Sequence, residues 1–182
     1  MISKLTFSLY YGIIGIMITK EVKIKIKTRI SDLNAVNIME RAAGEEIDQS
    51  LIPEDEIIEY STDATLTDTG SAIELCYDED ESMGMKNTRT VIVFEKKHPD
   101  CVNLNRSGEN TTGLYFSSKN KRQNCSYDVG GYTMEFCIYT RKIENSLTAK
   151  GGTLEIDYTM EICGTKTQRN RILIKVDEKK KR

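Results

Sequence analysis

Tryptophan is absent from this 182-residue chain, histidine occurs once and proline twice. A single histidine, His98, excludes the usual metal centres built on two or three imidazoles. Serine–histidine or cysteine–histidine catalysis would have to run through that residue, which precedes Pro99-Asp100 in what reads as a tight surface turn. The Gly-x-x-x-x-Gly-Lys phosphate loop, the Gly-x-Gly-x-x-Gly turn and the Gly-x-Ser-x-Gly elbow are all missing. Cys76, Cys101, Cys125, Cys137 and Cys163 stand 25, 24, 12 and 26 residues apart, so none forms the short-gap pair of a zinc knuckle or redox motif. Reduced thiols in a cytoplasmic protein are therefore expected, with Cys137 and Cys163 exposed or half-exposed on the polar phase of their strands.

Long apolar runs are also lacking. The longest, Leu5 to Ile18, spans fourteen residues and includes Thr6, Ser8 and glycines, whereas a membrane-crossing helix needs about twenty. It has neither the basic start nor the cleavage site of a signal peptide. The reading preferred here is that residues 1–16 are a non-native or disordered extension ahead of a natural start at Met17. A short extension packed at an interface and a targeting signal are the alternatives. Formal net charge is −2, and the tail Asp177 to Arg182 contributes +2, leaving −4 on the body. An acidic body gives no footprint for nucleic acid, which calls for a basic patch.

What the chain does have is period-two alternation. Leu154, Ile156, Tyr158, Met160 and Ile162 alternate with Glu155, Asp157, Thr159 and Glu161, the pattern of a half-buried antiparallel strand with one set in the core and the other in water. Tyr132, Met134, Phe136 and Ile138 repeat the pattern upstream, and Ile172, Ile174 and Val176 downstream. Val22, Ile24 and Ile26 alternate with Lys23, Lys25 and Lys27, lysines that would guard an edge strand. Further strands are expected at Ile58 to Thr62, Ile73 to Tyr77, Arg89 to Phe94, Cys101 to Arg106, Thr112 to Ser117 and Arg122 to Asp128, with turns at Asp68-Thr69-Gly70 and Gly130-Gly131. Residues 31–56 form a long acidic loop, in which Ser31 or Asp32 could cap a short helix through Arg41. The acidic run Asp78 to Glu81 lacks the spacing of a calcium loop and reads as solvated. About ten short strands with no helix between them predict one all-β domain over residues 17–176, an antiparallel barrel of eight to ten strands, followed by a basic tail at 177–182.

Tyr77-Asp78-Glu79 followed by Gly84-Met85-Lys86-Asn87-Thr88-Arg89-Thr90 resembles a signature of the YwiB-like bacterial family, calycin-like β-barrels without an assigned function. Arg106-Ser107-Gly108, Tyr139-Thr140, Gly151-Gly152, Asp157-Tyr158 and Asn170 to Val176 agree in order with the same family. The resemblance implies a lipocalin-like barrel whose interior could take a small apolar or amphipathic molecule, and it implies no catalytic residue. The tentative ligand-binding set is Tyr77, Glu79, Arg106, Arg141 and Tyr158. Arg106 either pairs with Glu79 to close the barrel end or anchors a ligand's carboxylate. Two functions follow. One is a carrier or sensor of a small molecule; the other is a filled barrel serving as an interaction scaffold, with room for a homodimer. An enzyme is not expected, nor a cofactor, metal, nucleic-acid or membrane partner.

Overall fold

The computed structural model describes residues 4–10, 13–33, 54–79, 87–129 and 131–178. Every regular element that lies within them is a β-strand. Ten form a closed antiparallel ring: β2 (Ile13–Asp32), β3 (Glu56–Asp68), β4 (Ala72–Asp78), β5 (Thr88–Glu95), β6 (Cys101–Gly108), β7 (Asn110–Ser117), β8 (Arg122–Val129), β9 (Tyr132–Asn145), β10 (Gly152–Ile162) and β11 (Thr165–Glu178). β1 (Lys4–Tyr10) lies outside the ring and pairs only with residues 13–19 of β2. Each strand from β3 to β11 pairs with its successor, and β2 closes the ring against β11 on one side and β3 on the other. An up-and-down barrel of this kind leaves no sheet edge within the ring.

The alternation explains the core. Val22, Ile24 and Ile26 from β2, Leu154, Ile156 and Tyr158 from β10, and Ile172, Ile174 and Val176 from β11 all turn inward and are buried. The lysines between them do not guard an edge, because β2 has a neighbour on each side along its length in the ring. They lie on the outer face, where Lys23 and Lys27 pair with Asp63 and Glu59 across the β2–β3 ladder, at 3.6 and 3.2 Å. Those exposed pairs contribute little stability and instead fix which charges face each other.

Several expectations are corrected or bounded here. Ser31 and Asp32 are the last residues of β2, opposite Arg169 and Gln168; helix begins at Leu33, directly after Asp32, and the remainder of the expected helical segment lies outside the described residues. Most of the expected loop 31–56, Gly130 and the segment 80–86 lie outside the described residues. Tyr132 and Met134 share the inward phase of Phe136 and Ile138 yet sit at the rim, 83% and 44% exposed. Conversely, Asp157, Thr159 and Glu161 point outward as the period requires but are buried. The turn at Asp68-Thr69-Gly70 is as expected, with the Gly70 amide donating to the Asp68 carboxylate at 2.8 Å. His98 lies exposed in the turn between β5 and β6.

The interior of the lower end of the barrel, where β3 turns into β4 and β9 into β10, is filled by Ile73, Phe94, Val102, Phe116, Leu147, Leu154 and Val176, and an open recess of about 570 Å³ borders Ile73, Phe94 and Leu147 there. Among the described residues, the upper end, where β6 turns into β7 and β8 into β9, is not packed in this way. It holds the polar residues described next.

Candidate ligand site at the upper end of the barrel

β4 ends in Tyr77-Asp78, and the next residue, Glu79, is not solvated as its place in an acidic run suggests but turns its carboxylate into the barrel, where the side chain is 2% exposed. Three donors from three strands meet it. Tyr60 of β3 donates its hydroxyl to Oε2 at 2.6 Å, Thr90 of β5 donates to Oε1 at 2.5 Å, and Arg106 of β6 donates Nε to Oε1 at 3.2 Å. The Glu79 amide is tied to the Thr88 carbonyl at 2.8 Å, which fixes where the side chain starts. Arg106 is placed by the same alternation that buries Val102 and Leu104 on its strand, and its side chain is 18% exposed.

Electrostatics follow from this packing. Burial works against the charge of Arg106, but the Glu79 carboxylate, helped by Tyr77 and Tyr158, outweighs it and holds the guanidinium above its ordinary range. Burial, then Tyr77 and Glu79, raise the Tyr60 phenol well above its usual value. Burial first and Glu79 second do the same for Tyr77, and burial raises Tyr158 against the opposing pull of Arg106. All three phenols are therefore neutral at physiological pH and act as hydroxyl groups.

Beside this cluster lies a cavity of about 280 Å³ that opens at the upper end. Leu114, Phe136, Met134 and Met160 give it apolar walls, while Arg106, Tyr158 and Gln168 contribute polar groups. Phe116 packs against Tyr158 with ring centroids 5.0 Å apart and holds that ring over the filled lower core. Among the described residues no group of histidine, cysteine and carboxylate side chains is arranged to hold a metal ion.

Four of the five expected site residues thus come together: Tyr77, Glu79, Arg106 and Tyr158. Arg141 does not join them. It lies on the outer face, half exposed, with Nε 3.8 Å from Asp157. Asp157 is covered there by Arg169, bonded to both its oxygens at 3.0 and 2.6 Å, and by Arg171 at 3.5 Å. The hydrogen bond from Arg169, against the opposing effect of burial, keeps the Asp157 carboxyl below its ordinary range. Tyr60 and Thr90 were not singled out from the sequence. Both stand on the inward phase of their strands, among Ala64 and Leu66 or Ile92 and Phe94, and a polar group in such a series is the signal that would have found them.

A profile for the "Domain of unknown function (DUF1934)" matches residues 45–174. The chain belongs to this family. Within the DUF1934 match lie β3 to β10, most of β11 and every member of the Glu79 cluster; β2 precedes it. The fold agrees with the crystal structure of the ywiB protein from Bacillus subtilis, with a TM-score of 0.61 over 86% of this chain and 92% of that one. Identity is 17%, so the likeness carries the DUF1934 barrel architecture and nothing more. No curated protein matches the sequence.

Proposed function

We propose that the protein is a non-catalytic binding protein of the cytoplasm that holds one small, partly apolar molecule in the upper end of its barrel. The observation that carries this reading is the roughly 280 Å³ cavity, walled by Leu114, Phe136, Met134 and Met160 and served by Arg106, Tyr158 and Gln168. A mostly apolar recess with a few convergent polar groups is the usual form of a small-molecule site. Methionine walls adapt to more than one shape. The five unpaired thiols support a reducing compartment. Native mass spectrometry of protein purified from its own host, compared with the denatured mass, tests the reading. An additional mass that leaves on denaturation is expected. A native mass equal to that of the bare chain, in preparations with the cavity intact, would overturn it.

The second reading, a scaffold, is favoured by the exposure of Tyr132 and Met134 at the start of β9. Amphipathic side chains of this kind supply contact area at interfaces. In that case the native mass would be a multiple of the chain's own, with no small molecule, and Tyr132→Ser would return it to the monomer.

A further inference from the structure

We infer that the occupant of the upper cavity is an amphipathic carboxylate of about ten non-hydrogen atoms, an inference that rests on the binding reading above. The argument is a count of donors against acceptors. Among the described residues, the one carboxylate beside the cavity, Glu79, already accepts from Tyr60, Thr90 and Arg106. Thr112, also on the cavity wall, spends its hydroxyl proton on the Ser126 carbonyl at 2.9 Å.

The donors are not used up in the same way. Arg106 gives only Nε to Glu79, and its two terminal nitrogens make no hydrogen bond to the described residues. Tyr158, which lines the cavity as a neutral phenol, donates to none of them either. Asn170 stands directly across from Tyr158 in the β10–β11 ladder, one inward position from the cavity residue Gln168. It is 5% exposed, and its side-chain Nδ2 is buried without any partner. An orphaned buried donor costs free energy and needs an explanation, such as a missing acceptor. Gln168 brings an acceptor together with its donor, and the remaining surplus on Arg106, Tyr158 and Asn170 is of donors, so the missing group is an acceptor. Beside a guanidinium whose Nη groups are unspent, a carboxylate answers best, because it offers two oxygens in the fork geometry of arginine.

The cavity sets the size. At the roughly 30 Å³ that each water-sized unit occupies, 280 Å³ accommodates about nine such units. A hydrocarbon body of seven or eight carbons would then lie along Leu114, Phe136 and the two methionines. A sixteen-carbon chain would have to extend out of the mouth of the cavity or open the filled lower barrel.

The test is a solution titration followed by NMR, using octanoate, 1-octanol, octylammonium and hexadecanoate as probes on the full chain. Octanoate is expected to bind at least tenfold more tightly than octanol, and octylammonium more weakly than either. Arg106→Met combined with Glu79→Gln removes both charges together, so no buried charge is left alone, and should reduce the octanoate preference to the level of octanol. Asn170→Leu removes the orphaned donor. It should weaken octanoate several-fold without lowering the melting temperature of the free protein, which a purely structural role would lower. If octanol binds as tightly as octanoate, the carboxylate assignment is overturned while the binding reading stands. If hexadecanoate binds best, the size assignment is overturned. If none of the four binds to folded protein, both readings fall. The comparison of probes on the unaltered protein decides the matter even where a variant does not fold.

Discussion

A carboxylate as deeply buried as that of Glu79 must find within the protein the partners that water would have supplied. Tyr60, Thr90 and Arg106 do this, and the arrangement depends on all of them. Glu79→Gln leaves the shape nearly unchanged but strands the Arg106 charge in a site only 18% exposed. Breaking one side of a buried pair costs about 3 kcal/mol or more. We predict a loss of that order in urea unfolding, most of it recovered when Arg106→Met is added. Asp157 offers a test with a defined pH dependence. Its folded carboxyl lies below the ordinary value of 3.8, chiefly through the bond from Arg169, so the folded state holds the ionised form more tightly than the unfolded chain does. The stability this contributes is whole above about pH 4 and disappears as pH falls through the lower folded value. Asp157→Asn should therefore be destabilising at pH 7, while unfolding curves of mutant and native protein converge as pH drops toward 2.

Among the elements, the turns decide how tightly neighbouring strands are held. Gly108 ends β6 at φ +135°, with the Asn87 carbonyl oxygen where a Cβ would have to sit. Gly70 also has positive φ, +87°, but its missing Cβ would meet nothing. Gly70→Ala should cost only the local strain of about 1 kcal/mol. Gly108→Ala must in addition push the start of β5 away from β6, and a drop in melting temperature several times larger is expected. Calorimetry on the two variants makes the comparison directly. In β9 the decisive feature is a bulge. Thr140 faces Tyr158 and Lys142 faces Asp157, so Arg141 is the extra residue. Without the bulge the inward phase of Phe136, Ile138 and Thr140 would have carried Lys142 into the barrel; with it, Lys142 stays outside and Ile143 packs on the core.

At the scale of the whole molecule, closure is what separates the filled lower barrel from the cavity above it. The β2–β3 ladder begins at Ile18 and the β2–β11 ladder at Val22, so neither uses a residue before Met17. Protein starting at Met17 should thus fold to the same barrel, with a melting temperature within a few degrees of the full chain by circular dichroism. A loss of the cooperative transition would show that β1, paired outside the ring, is needed for closure. The expectation that residues 1–16 stand apart from the domain rests on that measurement.

Much of this was legible in the residues alone because strand alternation is local. The phase of each segment places Val22 to Ile26, Leu154 to Tyr158 and Ile172 to Val176 on one face, and the same phase points Arg106 inward and Arg141 outward, so only the first of these two site candidates reaches the interior. The pairing of Glu79 with Arg106 was one of two readings of the motif, and the ring places the two at 3.2 Å. The partners Tyr60 and Thr90, the orphaned amide of Asn170 and the bulge at Arg141 belong to the tertiary structure. Each depends on the register between strands distant in sequence, and a slip of one residue reverses every side chain it governs. Sequence thus determined which residues would be strands and which face would be oily. Only closure of the ring, a long-range condition on all ten strands together, decided that its lower half would be filled and its upper end left with a recess and unspent donors.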